Sequence, residues 1–199
     1  MPAAVGFALS LPDSWFELDV RPATRDASIR ALVDRRTHEQ PELWAHRSEL
    51  VRVLRRQARD AADAGAVYCA CFVLVVDDSV IPGSLTVSVI PPPPGGSGAD
   101  AIAELLSVNE AREDGGTWMS RSIASLPEAG RAARAQGVTD VELPGGGSLR
   151  TILMQTFVPV DADRVLLVAA ACPAIDLAEP LLELFDTITA TLALVREEQ

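Results

Sequence analysis

Three cysteines, two histidines and a scatter of paired acids are the residues in this 199-residue chain whose types could do chemistry. Cys172 has the best position for a nucleophile. Ala170-Ala-Cys172-Pro173 lies between a strand-like run and a helix, where a helix start could depress a thiol pKa. No histidine is spaced to pair with it, so an inert thiol is the expectation. Cys69 and Cys71 lie in an apolar run with no second pair of metal-ligand spacing, and they read as reduced core thiols. His38 and His46 flank Pro41 and do not follow helical ligand spacings; Glu39, Glu42 and Glu49 beside them read as surface carboxylates. The acid groups Asp77-Asp78, Glu110 with Glu113-Asp114, Asp161 with Asp163, and Glu197-Glu198 fall in turns or at the terminus, where solvated charge is ordinary. Gly-x-Ser-x-Gly, the Walker pattern and the dinucleotide glycine fingerprint are all absent. No lysine occurs anywhere, which removes Schiff-base and Walker-lysine chemistry. The residues therefore assign no catalytic group, no metal ligand set and no cofactor.

Binding residues are easier to nominate. Trp44 lies on an arginine-rich helical stretch that also carries Arg47, Arg52, Arg55, Arg56 and Arg59, the one concentrated positive run in the chain. Exposed Trp and Arg are frequent anchors of protein interfaces, so a non-enzymatic interaction or accessory domain would act through this helix, with Trp44, Arg52 and Arg56 as contacts, or through an exposed sheet face. The competing reading makes the tryptophans core residues and the arginines a solvated face. Trp118, with Cys172, is the candidate lining of a pocket between sheet and helices, and a small-ligand binding domain or an enzyme built on that pocket is the alternative to a protein-interaction role.

Bulk composition sets the outer limits. An apolar content of 48% predicts a globular core. A net charge of −11 leaves too few cations to track a nucleic-acid backbone or an anionic membrane surface. No apolar run reaches the length of a membrane span, and the first residues do not read as a signal peptide. The expectation is a cytoplasmic protein with a protein partner, no nucleic acid, no membrane insertion and room for a homo-oligomer.

Periodicity supplies the elements that must position these residues. Phe7–Leu11 and Trp15–Val20 read as strands, Arg25–His38 and Glu42–Ala64 as helices, and Gly65 as the stop of the second. Val67–Val76 and Leu85–Ile90 read as strands joined by Asp77–Ser84, and Pro91–Gly98 as a Pro/Gly-rich loop. A short helix at Asp100–Val108 follows, then a loop at Asn109–Gly116 and a strand at Thr117–Ile123. Arg131–Val138 is alanine-rich and fits a strand or a helix. Leu149–Val158 and Val165–Ala171 are strong strands about a turn at Pro159–Arg164, and a helix at Asp176–Val195 ends the chain. This order predicts a single α+β domain over residues 1–199, a central antiparallel sheet flanked by helices.

The opening Phe7-Ala-Leu-Ser-Leu-Pro-Asp-Ser-Trp15 resembles the start of Mog1/PsbP-like proteins, including small actinobacterial members. The end is similar to theirs too: a strand closing near Ala171-Cys-Pro173, then a helix Leu181–Leu194 with Phe185, Ile188 and Leu192 inward. The resemblance implies an α/β/α sandwich and an accessory or binding role rather than catalysis. It covers the two ends and carries over no functional residue.

Overall fold

A computed structural model describes residues 4–76, 79–106, 116–142 and 146–196. In chain order the elements are β1 (Ala4–Ala8), β2 (Phe16–Leu18), α1 (Arg25–Glu39), a 3-10 turn (Pro41–His46), α2 (Arg47–Asp63), β3 (Ala66–Val76), β4 (Ser79–Ile90) and α3 (Ala99–Leu105). Then come β5 (Trp118–Leu126), β6 (Gly130–Glu142), β7 (Ser148–Pro159), β8 (Val165–Cys172), a second 3-10 turn (Ile175–Leu177), α4 (Ala178–Ala190) and β9 (Ala193–Arg196). They fall into two compact units, one of Pro12–Ser88 and one of Met1–Leu11 with Val89–Gln199. Each carries antiparallel strands with helices against them, so the fold is α+β.

In the Pro12–Ser88 unit the strands lie in the order β2-β3-β4. The unbroken apolar run of β3 suits a central strand covered on both faces, and Cys69, Ala70, Cys71 and Phe72 are all buried. One face receives α1 and α2. Ile29, Val33 and Thr37 on α1, and Leu50, Leu54, Ala58 and Ala61 on α2, recur at helical spacing and point inward. They close on Phe16, Leu18, Cys69 and Cys71. On the other face the rings of Trp15 and Phe72 meet with centroids 4.8 Å apart. Phe72 lies across Gly83, its register partner, where an added Cβ would come within 2.1 Å of the ring. Gly65, at φ +76°, ends α2 as expected.

The Asp77–Ser84 connection needs correcting. Strand β4 already begins at Ser79, with Val80 opposite Val75 and Pro82 opposite Val73. Pro82-Gly83 reads as a turn locally, yet Gly83 is needed under Phe72. Asp77 and Asp78 lie outside the described residues.

In the other unit the order is β8-β7-β6-β5, with β1 and β9 forming a separate two-stranded ribbon. The alanine-rich segment is strand β6. Its neighbours Ala133 and Arg134 point to opposite faces. Ala133 packs with Ile102 of α3 and Val165, while Arg134 meets α4. The terminal helix is shorter than expected. Helix α4 stops at Ala190, and Ala193–Arg196 pairs with β1 instead, Leu194 opposite Phe7. The first strand accordingly sits at Ala4–Ala8 rather than Phe7–Leu11. Phe185, Ile188 and Leu192 are buried as the inward set, although Leu192 lies past the helix end. No helix among the described residues is long and apolar enough to cross a membrane.

Candidate functional site

Pro41 ends α1 by removing an amide proton and opens the 3-10 turn at its first position. Leu43 is buried and pins that turn, which throws Trp44 outward. Trp44 is 65% exposed, the most exposed of the large apolar side chains among the described residues.

Helix α2 then sorts its arginines. Arg47 Nε donates to Asp34 Oδ1 of α1 at 2.7 Å. Arg55 also leans on α1, its Nε 3.7 Å from Asp26 Oδ1. Arg52 Nη2 donates to Glu49 Oε1 at 3.1 Å on its own helix. Arg56 and Arg59 are exposed and form no ion pair among the described residues. Arg52 and Arg56, one turn apart, share an exposed face. Acids also reach the end of this helix, with Asp60 and Asp63 exposed beyond Arg59.

Trp44, Arg52 and Arg56 thus belong to one continuous segment. Trp118 belongs to the other unit, where it is half-buried at the start of β5. Trp118 and Cys172 share a row there. Trp118 is opposite Val138, Val138 opposite Ile152, and Ile152 opposite Cys172. Three strand spacings put them roughly 14 Å apart, and the buried side chains of Val138 and Ile152 stand between them.

Two of the thiols, Cys172 and Cys71, are far from activated. Burial pushes the Cys172 thiol up, against a hydrogen bond from the Ala174 backbone, so the depression that a helix start could bring is not realised. The Cys71 thiol is raised well above its ordinary value by its hydrogen bond with Cys69 and by burial. All three cysteines are unpaired. Among the described residues no three His, Cys, Asp or Glu side chains group as a metal ion would need.

The carboxylates have local partners. Asp161 accepts from Arg164 Nη2 at 2.6 Å and from the Asp163 amide at 3.0 Å, and the arginine chiefly holds its carboxyl below the usual range. Asp140 is lowered in the same way by Arg150. Asp19 is lowered by Arg21 and Thr24, whose hydroxyl donates at 2.5 Å. Thr24 therefore spends its side chain on Asp19 and makes no cap bond to α1. Glu110, Glu113, Asp114, Glu197 and Glu198 lie outside the described residues.

Two arginines escaped the sequence reading. Arg134 is buried under α4, where Nε donates to Thr156 Oγ1 at 3.1 Å and Nη1 to Asp186 Oδ1, while Nη2 has no partner among the described residues. Arg121, on β5, donates from Nη1 to the carbonyls of Ala103 and Glu104 at 3.2 Å each. A shallow groove of about 290 Å³ opens there, lined by Asp100, Ala103, Glu104, Arg121, Ser122 and Ile123. No family model matches the chain, and no curated protein is similar to it.

Proposed function

We propose that this chain is a non-enzymatic interaction or accessory domain that docks a partner protein through the exposed face of α2 and the turn before it. The observation that carries this reading is Trp44, held in solvent by a turn whose neighbour Leu43 is buried. An indole so placed offers a large apolar contact at little conformational cost. Arg52 and Arg56 supply flanking donors suited to planar carboxylates. The two helices packed on a sheet are compatible with the Mog1/PsbP-like likeness, and three unpaired thiols suit the reducing cytoplasm. The buried Val138 and Ile152 weigh against a ligand pocket joining Trp118 to Cys172.

The test is a photo-crosslinking residue placed at Trp44 in the native host, followed by purification of the protein it captures. Affinity for that protein should fall at least about tenfold in Trp44→Ala, a hot-spot loss, and less in Arg52→Ala and Arg56→Ala. Unchanged affinity in all three variants ends the proposal.

A further inference from the structure

We propose that β5 is a homodimerisation edge, along which two copies of this chain pair antiparallel about Ser122. Among the described residues β5 pairs with β6 alone, at the end of its sheet. All nine of its residues keep one register with β6, with no bulge. Proteins normally blunt such an edge with proline, a bulge, extra charge or a very short strand. The sequence WMSRSIASL has no proline, and Arg121 is its one charge. A long, regular edge with no guard among the described residues is a template for another strand.

The edge also complements itself. A two-fold axis at Ser122 sets Ser122 against its own copy, Arg121 against Ile123, and Ser120 against Ala124. Small serines at 120, 122 and 125 allow close approach. Each copy carries −11, and β5 contains no carboxylate, so this strip brings two acidic chains together where repulsion is small. The groove beside it supplies a receptor. Arg121 of each copy would stand opposite Ile123 of the other, at a groove walled by Asp100 and Glu104. Asp100 is already bidentate with Arg131 at 2.8 Å, which leaves the Glu104 carboxylate to meet the remaining donors of the incoming guanidinium, whose Nη1 stays on the Ala103 and Glu104 carbonyls of its own copy. Four charges per copy then balance: Asp100 and Glu104 against Arg121 and Arg131.

Light scattering on the purified full chain over about 1–100 µM, where modest interfaces dissociate, tests the edge. A dimer is expected. Ser122→Lys sets like charges face to face on the axis and should raise the dissociation constant about tenfold, with the thermal transition unchanged at concentrations where the chain is dissociated. Paired strands hold opposing Cα atoms about 4.5–5.5 Å apart, within reach of a disulfide. Ser122→Cys should therefore give a covalent dimer on mild oxidation, while Ser120→Cys should not. The native thiols are buried and do not compete. A monomer at every concentration overturns the proposal, as does a dimer that Ser122→Lys leaves intact. Cross-linking through Ser120→Cys instead overturns the register, and a monomer whose β5 pairs with a foreign extended peptide overturns the choice of a second copy.

Discussion

The molecule sets helices on antiparallel strands twice, with different chemistry at the contact. Beneath α1 and α2 the interface is apolar: Ile29, Val33, Leu50 and Leu54 are wholly buried, and the arginines of α2 turn to α1 carboxylates or to solvent. Beneath α4 a cation is buried as well as the apolar Leu181, Phe185 and Ile188. The Arg134 side chain is 7% exposed, and its ionic partner Asp186 sits at the rim, 58% exposed. The first contact draws its stability from area removed from water. The second holds a charge whose removal from water its partners must offset. The two contacts should therefore answer differently to the same kind of substitution.

The largest effect belongs to the apolar contact. Leu54→Ala should cost about 3–4 kcal/mol, the cost of deleting a buried leucine in a site that cannot collapse, read from urea unfolding. A loss under about 1 kcal/mol would mean that the α2 contact is loose rather than close-packed.

A matched pair of glycines sharpens the contrast next. Gly83 lies under the Phe72 ring, and Gly137 under the backbone of Trp118, where a Cβ would fall 2.0 Å from the carbonyl oxygen. A ring can turn aside, but a ladder carbonyl moves only with its strand. Gly137→Ala should cost about 2–3 kcal/mol, in the upper range for overpacking, and more than Gly83→Ala. The reverse order in thermal melts would show that the Trp15–Phe72 packing is the stiffer of the two.

The buried charge comes third, and its sign depends on which partner is removed. Asp186→Asn leaves Arg134 unpaired and should cost about 2 kcal/mol, below the value for a fully buried pair because water reaches Asp186. Arg134→Met removes the buried charge itself and should stay within about 1 kcal/mol of the parent. Equal losses in the two variants would make the arginine a net stabiliser and erase the distinction between the contacts.

The smallest effect is in acid. Asp161 and Asp140 have carboxyl pKa values lowered by Arg164 and Arg150, so each adds stability that is present above the unfolded carboxyl pKa of about 3.9 and is lost as pH falls through the lowered value. Asp161→Asn should therefore lower stability slightly at neutral pH and converge on the parent as pH falls well below about 4, which flattens stability against pH. Its exposure keeps the change small.

Local pattern carried much of the fold. The i, i+4 stripe of α2, the apolar run of β3, the β7–β8 hairpin and the stop at Gly65 are written in short windows and appear where periodicity places them. Three features were hidden because their cause is distant. Val80–Ser84 reads as a link through Pro82-Gly83, but it is strand because β3 lies beside it and Phe72 needs the glycine. The alanine-rich β6 has no strong intrinsic preference, and its neighbours β5 and β7 make it a strand. Ala193–Arg196 continues a helical pattern, yet it pairs with β1 from the far end of the chain. The candidate site divides likewise. Trp44, Arg52 and Arg56 were legible as one segment, whereas nothing local marked Arg121 as an edge residue or Arg134 as buried.

By itself the sequence determined the α+β class, the central apolar strands, the acidic surface and the absence of lysine chemistry, since composition and periodicity act within a few residues. Tertiary structure alone decided which strand lies at an edge, which arginine is buried and which tryptophan faces water. Those outcomes depend on what packs against a residue from elsewhere in the chain, and side-chain type cannot encode its neighbour.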